Sequence, residues 1–205
     1  MIKLVKGAPA LRFDDWLVIT DLHLGLERDY WMKGYDIPPQ KDSILKRIMK
    51  IKKDSRNLMI LGDIKHNIPN TTRREISDVS ELISKLKSVF KEVVIIKGNH
   101  DGNIERITPA VKEYFIGNVA FIHGHSVSKK VLESERIIAG HMHPVYAYKN
   151  HLGIIQRKKC FVITPKIIIL PAFTELSAGS HELARPLKKY VLNEERLLLD
   201  LTKVK

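Results

Sequence analysis

The first half of the chain alternates short apolar runs with longer segments of helical periodicity. The apolar runs predict strands within the sequences WLVIT, NLMILGD and EVVIIKGNHD. Residues 41–53 and 75–90 predict helices between them, because apolar side chains recur there at helical spacing. The apolar stripe of the second helix consists of Ile76, Val79, Leu82, Ile83, Leu86 and Val89. This alternation of strand and helix is typical of a parallel sheet of the α/β class.

The second half of the chain is richer in strands. It contains further apolar runs in NVAFIHGH, RIIAGHMHP, VYAYK, RKKCFVITP and KIIILPAF. Few helical segments separate these runs, so we expect a second sheet, more antiparallel or mixed, that packs on the first. The tail KKYVLNEERLLLDLTKV fits either a closing hairpin around Asn193 and Glu194 or a short helix.

Length and composition fit an ordinary globular protein. A chain of 205 residues can form one sizeable core, and we expect residues 1–205 to be a single domain. No apolar run approaches the length of a membrane span, and the N-terminal MIKLVKGAPALRF lacks the apolar region of a secretory signal. Cys160 is the only cysteine, so no intrachain disulfide can form. These features favour a cytoplasmic protein without a membrane partner.

The charge of the chain is strongly positive. A formal net charge of +12 favours anionic partners, namely nucleotides, nucleic acid or acidic lipid surfaces. A solvated lysine-rich surface would explain the same charge. Residues 41–56 hold seven basic and two acidic side chains. They form either a basic stripe for nucleic acid or a solvated helix face.

Polar clusters directly follow five of the predicted strands. They comprise residues 21–23, 62–63, 98–101, 123–125 and 140–143. In an open α/β sheet, ligands bind beyond the carboxyl ends of the strands, so clusters far apart in sequence can meet at one site. Asp and His supply the oxygen and nitrogen ligands that suit Mn, Fe, Zn or similar ions. Glycine before Asp63, Asn99 and His141 lets the backbone turn sharply and approach an ion.

Each cluster alone has a simpler explanation. Asp-Leu-His fits a helix cap with a solvent-facing histidine, GNHD fits a hairpin turn, and His-x-His fits a satisfied pair at a strand end. All of them together, in this order and at strand ends, indicate a metal site.

The series of clusters resembles the motifs of the calcineurin-like metallophosphoesterases. Those motifs run DxH, GDxx[D/H], GNH[D/E], an isolated His after a strand, and GHxH, and all five occur here between residues 21 and 143. The sequences GDIKH and LPAFTELSAG look most like the small archaeal phosphoesterases related to the repair nuclease SbcD. They also look like the DNA-ligase-associated bacterial group.

The resemblance implies an α/β fold, a two-sheet β-sandwich flanked by helices, with two divalent metal ions. Mn²⁺ is the expected metal, with Fe, Zn, Ni or Co as alternatives. The ligands of the first ion would be Asp21, His23, Asp63 and His143. Those of the second would be Asp63, Asn99, His123 and His141, so that Asp63 bridges the two ions.

The resemblance also implies a mechanism. A hydroxide that bridges the two ions would attack phosphorus in line. His100 would donate a proton to the leaving oxygen, because a histidine with an ordinary pKa can transfer protons near neutral pH. Asp101 would either orient His100 or cap the turn that follows.

Three further residues have open roles. His66 stands where many family members have the second Asp of GDxxD, and it could contact a metal ligand, contact substrate or be merely exposed. His125 is expected to help hold the loop after His123. Arg28 either reaches a substrate phosphate or forms a surface ion pair.

The function expected from these features is hydrolysis of phosphodiesters in nucleotides or nucleic acid. A small nucleotide diester or a single-stranded end is as plausible a substrate as duplex DNA, because little of this short chain is left for a DNA-capping domain. One alternative is a phosphomonoesterase. Another is a non-catalytic scaffold, as in one retromer subunit of this fold, although that subunit lacks the histidine that this chain has at His100.

Overall fold

The first sheet has parallel strands at its centre. The computed structural model describes residues 1–68, 72–180, 188–191 and 199–200. The sheet contains, in spatial order, β1 (Ile2–Leu4), β2 (Leu11–Phe13), β3 (Trp16–Ile19), β4 (Asn57–Leu61) and β5 (Glu92–Ile96). The pairs β3–β4 and β4–β5 are parallel, whereas β1–β2 and β2–β3 are antiparallel. The three strands predicted in the first half are therefore confirmed, and β1 and β2 are additional.

Helices cover the outer face of this sheet. The covering helices are α2 (Lys41–Lys52) and α3 (Arg73–Val89), and the shorter helix α1 (Leu26–Met32), which precedes them in sequence, has no buried residue. The helix α3 begins at Arg73 because Thr72 and Glu75 form a reciprocal capping box. Buried residues of α2 and α3, among them Ile44, Ile48 and Leu82, share one apolar cluster with β3 and β4.

One part of the predicted α3 stripe is wrong. Val79, Leu82, Ile83 and Leu86 are buried. Ile76 and Val89, in contrast, are 43% and 39% exposed. Each of these two residues lies in a terminal turn of α3, outside the central turns that cover the sheet.

The second sheet is mixed, as expected. Among the described residues it contains β6 (Glu113–Ile116), β7 (Val119–Ile122), β8 (Arg136–Ala139), β9 (Val145–Lys149), β10 (Ile155–Ile163), β11 (Ile167–Ile169), β12 (Lys188–Val191) and β13 (Leu199–Asp200). The strands β7, β8 and β11 pair in parallel, and the other pairs are antiparallel. A short helix, α4 (Lys129–Glu133), lies between β7 and β8 in sequence.

The two sheets pack face to face. Because side chains alternate along a strand, Ile60 of β4 faces the helices while Met59 and Leu61 face the second sheet. There they meet Phe121 and Phe161. Val131 of α4 covers the opposite face of the second sheet. The order of layers is therefore helix, sheet, sheet, helix, which confirms the predicted α/β sandwich.

The tail strands β12 and β13 pair antiparallel, as the hairpin alternative requires. The predicted turn at Asn193 and Glu194 lies outside the described residues. None of the helices that the structure describes is long and apolar enough to cross a membrane.

Candidate metal centre

The predicted polar clusters lie at one edge of the sandwich. Asp21, Asp63 and Asn99 follow the parallel strands β3, β4 and β5, and His123 and His141 follow the parallel strands β7 and β8. Backbone hydrogen bonds join the neighbouring loops within each sheet: Asp21 N donates to Gly62 O at 3.1 Å, and Gly140 N donates to His123 O at 2.8 Å. The carboxyl ends of strands from both sheets thus build one site.

The backbone at this edge is strained. Among the described residues, eight non-glycine residues have positive φ. Five of them are predicted metal ligands, namely Asp21, His23, Asp63, His141 and His143, with φ between 42° and 67°. Each left-handed residue of this kind costs about 1–2 kcal/mol and persists only where the surrounding structure fixes it. The loops therefore use unfavourable backbone conformations to turn these side chains toward one another.

Two of the glycines are required by close approach. A Cβ atom at Gly98 would lie 2.1 Å from Asp63 Oδ1, and one at Gly140 would lie 1.9 Å from Thr20 Oγ1. Neither residue is among the glycines with positive φ. We expected these glycines to permit a sharp turn, but their main contribution here is space for the neighbouring loop.

The first group of donor atoms comprises Asp21, His23 and His143. The Nε2 atoms of the two histidines lie 3.3 Å apart, and His143 Nε2 lies 3.1 Å from Asp21 Oδ1. Asp21 Oδ1 is buried and has no hydrogen-bond partner within the described part of the chain. On the other side of the ring, His143 Nδ1 lies 2.7 Å from Ser177 Oγ.

The second group comprises Asp63, His123 and His141, with Asn99 beside them. His123 Nδ1 donates to the carbonyl oxygen of Leu61 at 2.7 Å. Its Nε2 faces Asp63 Oδ2 at 3.2 Å. The same Nε2 lies 3.1 Å from Asn99 Oδ1 and 3.1 Å from His141 Nδ1.

These residues fit divalent ions. The donor atoms within each group lie within 4.8 Å of one another, so a single ion could contact them. Asp21 Oδ1 accepts no hydrogen bond within the described residues, so a cation beside it would offset the cost of its burial. Nitrogen and oxygen donors without thiolate suit Mn, Fe or Zn. The structure brings all seven predicted ligands together.

Burial and charge set the protonation of the groups. The pKa of His23 is lowered to about 3, chiefly by burial, with Asp63 and Asp21 opposing the shift and His143 and His100 adding to it. His23 is therefore a neutral imidazole, the form that binds metal. Burial alone would raise the pKa of Asp63, but the hydrogen bond and charge of His123 outweigh it and lower the pKa to about 2. Asp63 is therefore ionised.

His100 lies at the mouth of the site. Its backbone N–H donates to Asp63 Oδ1 at 2.8 Å, and its Nδ1–H donates to the carbonyl oxygen of His66 at 2.5 Å. The second ring nitrogen, Nε2, is thereby left to face the cavity. This cavity has a volume of about 280 Å³ and is also lined by His23, His143 and Ser177.

Asp101 lies beneath the site and is fully buried. Its carboxylate accepts hydrogen bonds from the backbone N–H groups of Gly98, Asp63, Ile64 and Lys65, at 2.7–3.3 Å. Burial raises the pKa of Asp101, although these donors oppose the shift. The carboxylate thus joins the loops after β4 and β5, and the orientation of the His100 ring comes from the carbonyl of His66.

Lys65 reinforces the same junction. Its side chain is fully buried, and Nζ donates to the carbonyl oxygens of Asn67 and His100 at 2.6 and 2.5 Å. Burial lowers its pKa, although neighbouring carboxylates oppose the shift. Sequence reasoning missed Lys65, although its place inside GDIKH, between Asp63 and His66, was an available signal.

His66 contacts a candidate ligand. Its Nδ1 lies 3.2 Å from His23 Nδ1, and its Nε2 lies 3.0 Å from Asp29 Oδ2. Its ring stacks on that of His100, with centroids 5.2 Å apart. A proton on His23 Nδ1 and one on His66 Nε2 would complete both hydrogen bonds. His23 Nε2 would then keep its lone pair for a metal. Asp29, on α1, was missed because that helix was not predicted.

The two remaining predicted residues lie at the periphery. His125 is exposed, and its ring centroid is 5.3 Å from that of His123. Arg28 is exposed and is not among the residues that line the cavity beside His100. Lys33, at the end of α1, lines that cavity instead, and Tyr30 ties α1 to the loop at Leu176 through its hydroxyl at 2.7 Å.

Comparisons with solved structures find proteins that this chain resembles. The nuclease MPE of Pseudomonas putida superposes with a TM-score of 0.72 and 24% sequence identity, over 95% of this chain and 93% of that chain. The E. coli phosphoesterase Yfce gives a TM-score of 0.47 at 14% sequence identity, over 90% of this chain and 98% of that chain. Wild-type Vps29 of Entamoeba histolytica, complexed with Zn²⁺, gives a TM-score of 0.40 at 16% sequence identity, over 90% of this chain and 98% of that chain. A search of curated proteins returns no significant match.

The likeness to the Pseudomonas nuclease shows a shared fold. The model of the calcineurin-like phosphoesterase family matches residues 16–160, which include all the candidate ligands. Because this match spans more than half of the 205 residues, the chain belongs to the calcineurin-like phosphoesterases and is a phosphate-ester hydrolase of that metal-dependent family.

Proposed function

We propose that the protein is a phosphodiesterase that hydrolyses nucleotide or nucleic-acid diesters at a centre of two divalent ions, with Mn²⁺ as the preferred metal. One observation supports this above all. Asp63 Oδ2 faces both histidine groups, at 3.2 Å from His123 Nε2 and 3.8 Å from His23 Nε2. A carboxylate oxygen in that position can serve two ions at once.

The proposed ligands divide into two sets that share Asp63. The first set is Asp21, His23, Asp63 and His143. The second set is Asp63, Asn99, His123 and His141. When bound, two such ions lower the pKa of a water for attack on phosphorus and stabilise charge on the phosphoryl oxygens.

The chain supplies the proton donor and the support for it. His100 gives a proton from Nε2 to the leaving oxygen, because its Nδ1–H is already donated to the His66 carbonyl. Asp101 and Lys65 position the His100 loop from below and do not touch the reactants. His66 and Asp29 hold His23 in the tautomer that presents Nε2 to a metal.

Charge supports a diester of a nucleotide or nucleic acid. The chain has a formal net charge of +12, and Lys33 lines the cavity beside His100. Positive charge at a cleft attracts polyanionic substrates. The structural relative from Pseudomonas putida is itself a nuclease.

A hydrolysis panel with Mn²⁺ tests the proposal. It compares bis-p-nitrophenyl phosphate, p-nitrophenyl phosphate, cyclic nucleotides and single-stranded DNA. The first compound is a diester and the second a monoester with the same leaving group, so their ratio isolates the diester preference. We expect faster hydrolysis of the diester, loss of activity on chelation and recovery when Mn²⁺ is restored.

Other outcomes of the panel would reject specific parts of the proposal. Preferential hydrolysis of the monoester would identify a phosphomonoesterase. No cleavage of any substrate by protein that holds two ions would reject the enzyme and favour an interaction scaffold.

A further inference from the structure

A basic groove opens beside the catalytic cavity. It has a volume of about 1060 Å³ and lies between the loop after β1, helix α2, strand β10 and residues 173–178. Its lining includes six basic side chains, namely Lys6, Arg47, Lys50, Arg157, Lys158 and Lys159. The one acidic residue of this lining is Glu175. We call this surface the basic groove.

The basic groove adjoins the cavity beside His100. Ser177 and Ala178 line both the groove and the cavity beside His100. Ser177 Oγ lies 2.7 Å from His143 Nδ1, so the wall between the two spaces contacts a candidate ligand. A nucleic-acid strand that left the cavity beside His100 past Ser177 would enter the basic groove.

Glu175 occupies the cationic centre of the groove. Its Oε1 lies 2.5 Å from Arg47 Nη2, and its Oε2 lies 3.2 Å from Lys159 Nζ. The guanidinium of Arg47 also stacks on Phe173, 4.4 Å from the ring centroid. Two anchored cations on one carboxylate form the arrangement that would hold a phosphate.

The remaining cations face outward. Lys6, Lys50 and Arg157 are exposed, and Lys158 is partly exposed. They belong to segments far apart in the chain, so the fold gathers them on one surface. A concave surface lined by cations of this number fits a polyanionic chain better than a single phosphate or a flat membrane.

We propose that the basic groove binds the phosphate backbone of a single-stranded nucleic acid whose scissile diester lies at the metal centre, and that Glu175 competes with this backbone for Arg47 and Lys159. The inference rests on the proposed phosphodiesterase function. A cavity of about 280 Å³ beside His100 is close in size to one unpaired nucleotide. The groove extends the same binding surface along the backbone.

Fluorescence anisotropy tests the groove directly. The probe is a fluorescein-labelled phosphorothioate oligothymidylate, which resists hydrolysis, with the Mn²⁺-loaded protein. The double variant Lys50→Gln/Arg157→Gln removes two exposed cations. We expect roughly tenfold weaker binding, and a slope of log K against log salt that is shallower by about 1.4, since each phosphate contact of a single strand contributes about 0.7.

The matched control is Lys91→Gln/Lys112→Gln. These lysines are exposed and directly precede the edge strands β5 and β6, outside the groove lining. The charge change is the same, so net charge alone would weaken both double variants equally. Equal losses in the two variants, or unchanged binding in the groove variant, would overturn the proposal.

A gain of binding is the second test. Glu175→Gln keeps the shape of the side chain but removes the internal anion. We expect tighter oligothymidylate binding and a steeper salt slope, because Arg47 and Lys159 lose the anion that they share. Unchanged or weaker binding would show that Glu175 does not compete with the backbone.

Two further measurements distinguish failure of the groove proposal from failure of the proposed phosphodiesterase function. Hydrolysis of bis-p-nitrophenyl phosphate, which is too small to reach the groove, should be unchanged in every groove variant. If the wild-type protein binds the oligonucleotide but cleaves no diester, the proposed function is wrong and strand binding by the basic groove is still supported. If it cleaves the small diester but does not bind the strand, or binds duplex more tightly, the groove proposal fails alone.

Discussion

The candidate metal centre and the basic groove share Ser177 but are built in opposite ways. At the metal centre, Asp21 and Asp63 are 0% and 2% exposed, and five candidate ligands have left-handed backbone. In the groove, Lys50 and Arg157 are exposed on a regular helix and a regular strand. Metal chemistry requires fixed atoms, whereas binding to a phosphate backbone requires charge density. The two surfaces should therefore respond differently to the same kind of substitution.

The largest effect is expected from Asp63→Asn. The variant keeps the size of the side chain but removes the negative charge shared by the two proposed ions. Leaving a buried charge without its partner costs about 3–5 kcal/mol, equivalent to roughly 10²–10⁴-fold in metal affinity. We expect fewer than two ions per chain by mass spectrometry of the metal and no detectable turnover.

The control for this prediction is Asp42→Asn. Asp42 is an exposed carboxylate on α2, 70% exposed. It should leave metal content and turnover unchanged. Full metal content in Asp63→Asn would contradict the bridging role of Asp63.

The next effect is expected from His100→Ala. The variant should keep both ions, because no proposed ligand is removed, and should lose about 10²–10⁴-fold in turnover of natural diesters. A p-nitrophenolate leaving group needs little protonation, so hydrolysis of bis-p-nitrophenyl phosphate should fall much less. Equal losses with both kinds of leaving group would show that His100 does not act as the general acid.

A smaller effect is expected from Asp29→Asn. Asp29 acts on His23 only through His66, so the change should weaken metal binding by roughly 10–100-fold. Calorimetric titration with Mn²⁺ measures this affinity independently of activity. The control is Asp36→Asn, an exposed carboxylate in the following loop. Equal metal affinities in the two variants would argue against the chain of hydrogen bonds from Asp29 through His66 to His23.

The smallest effect is expected on the affinity for the strand when the metal is removed by a chelator. Removal of metal should stop hydrolysis completely, yet it should weaken oligothymidylate binding less than Lys50→Gln/Arg157→Gln does. The groove cations are outside the proposed metal ligands, so they remain in place. Loss of all strand binding on chelation would show that the two surfaces do not bind separately.

The contrast between the two surfaces also explains what could be predicted from sequence. The candidate ligands could be identified because they follow strands in contiguous motifs, and parallel strands bring their carboxyl ends to one edge. Asp29 and Ser177 could not, since each acts through contacts with residues distant in sequence. The left-handed backbone of the ligands is also set by neighbouring loops and has no sequence motif of its own.

Residues 41–56, for which a basic stripe and a solvated helix face were the two alternatives, illustrate the limit of pattern alone. Their basic side chains diverge in space: Lys41 pairs with Asp78 at 3.2 Å on α3, whereas Arg47 and Lys50 line the groove. The other groove cations come from the N-terminal loop and from β10, and no periodicity connects these segments. The sheets and main helices were predictable from apolar spacing, but short elements such as α1 and β6 were not.

The bridging role of Asp63 is tested most directly by a crystal structure of the Mn²⁺-loaded protein with anomalous scattering from manganese. We expect two anomalous peaks about 3.5–4 Å apart, one beside Asp21 and His143 and the other beside His123 and His141, with Asp63 in contact with both. A single peak, or two peaks that do not share Asp63, in protein that hydrolyses diesters at full rate would contradict it.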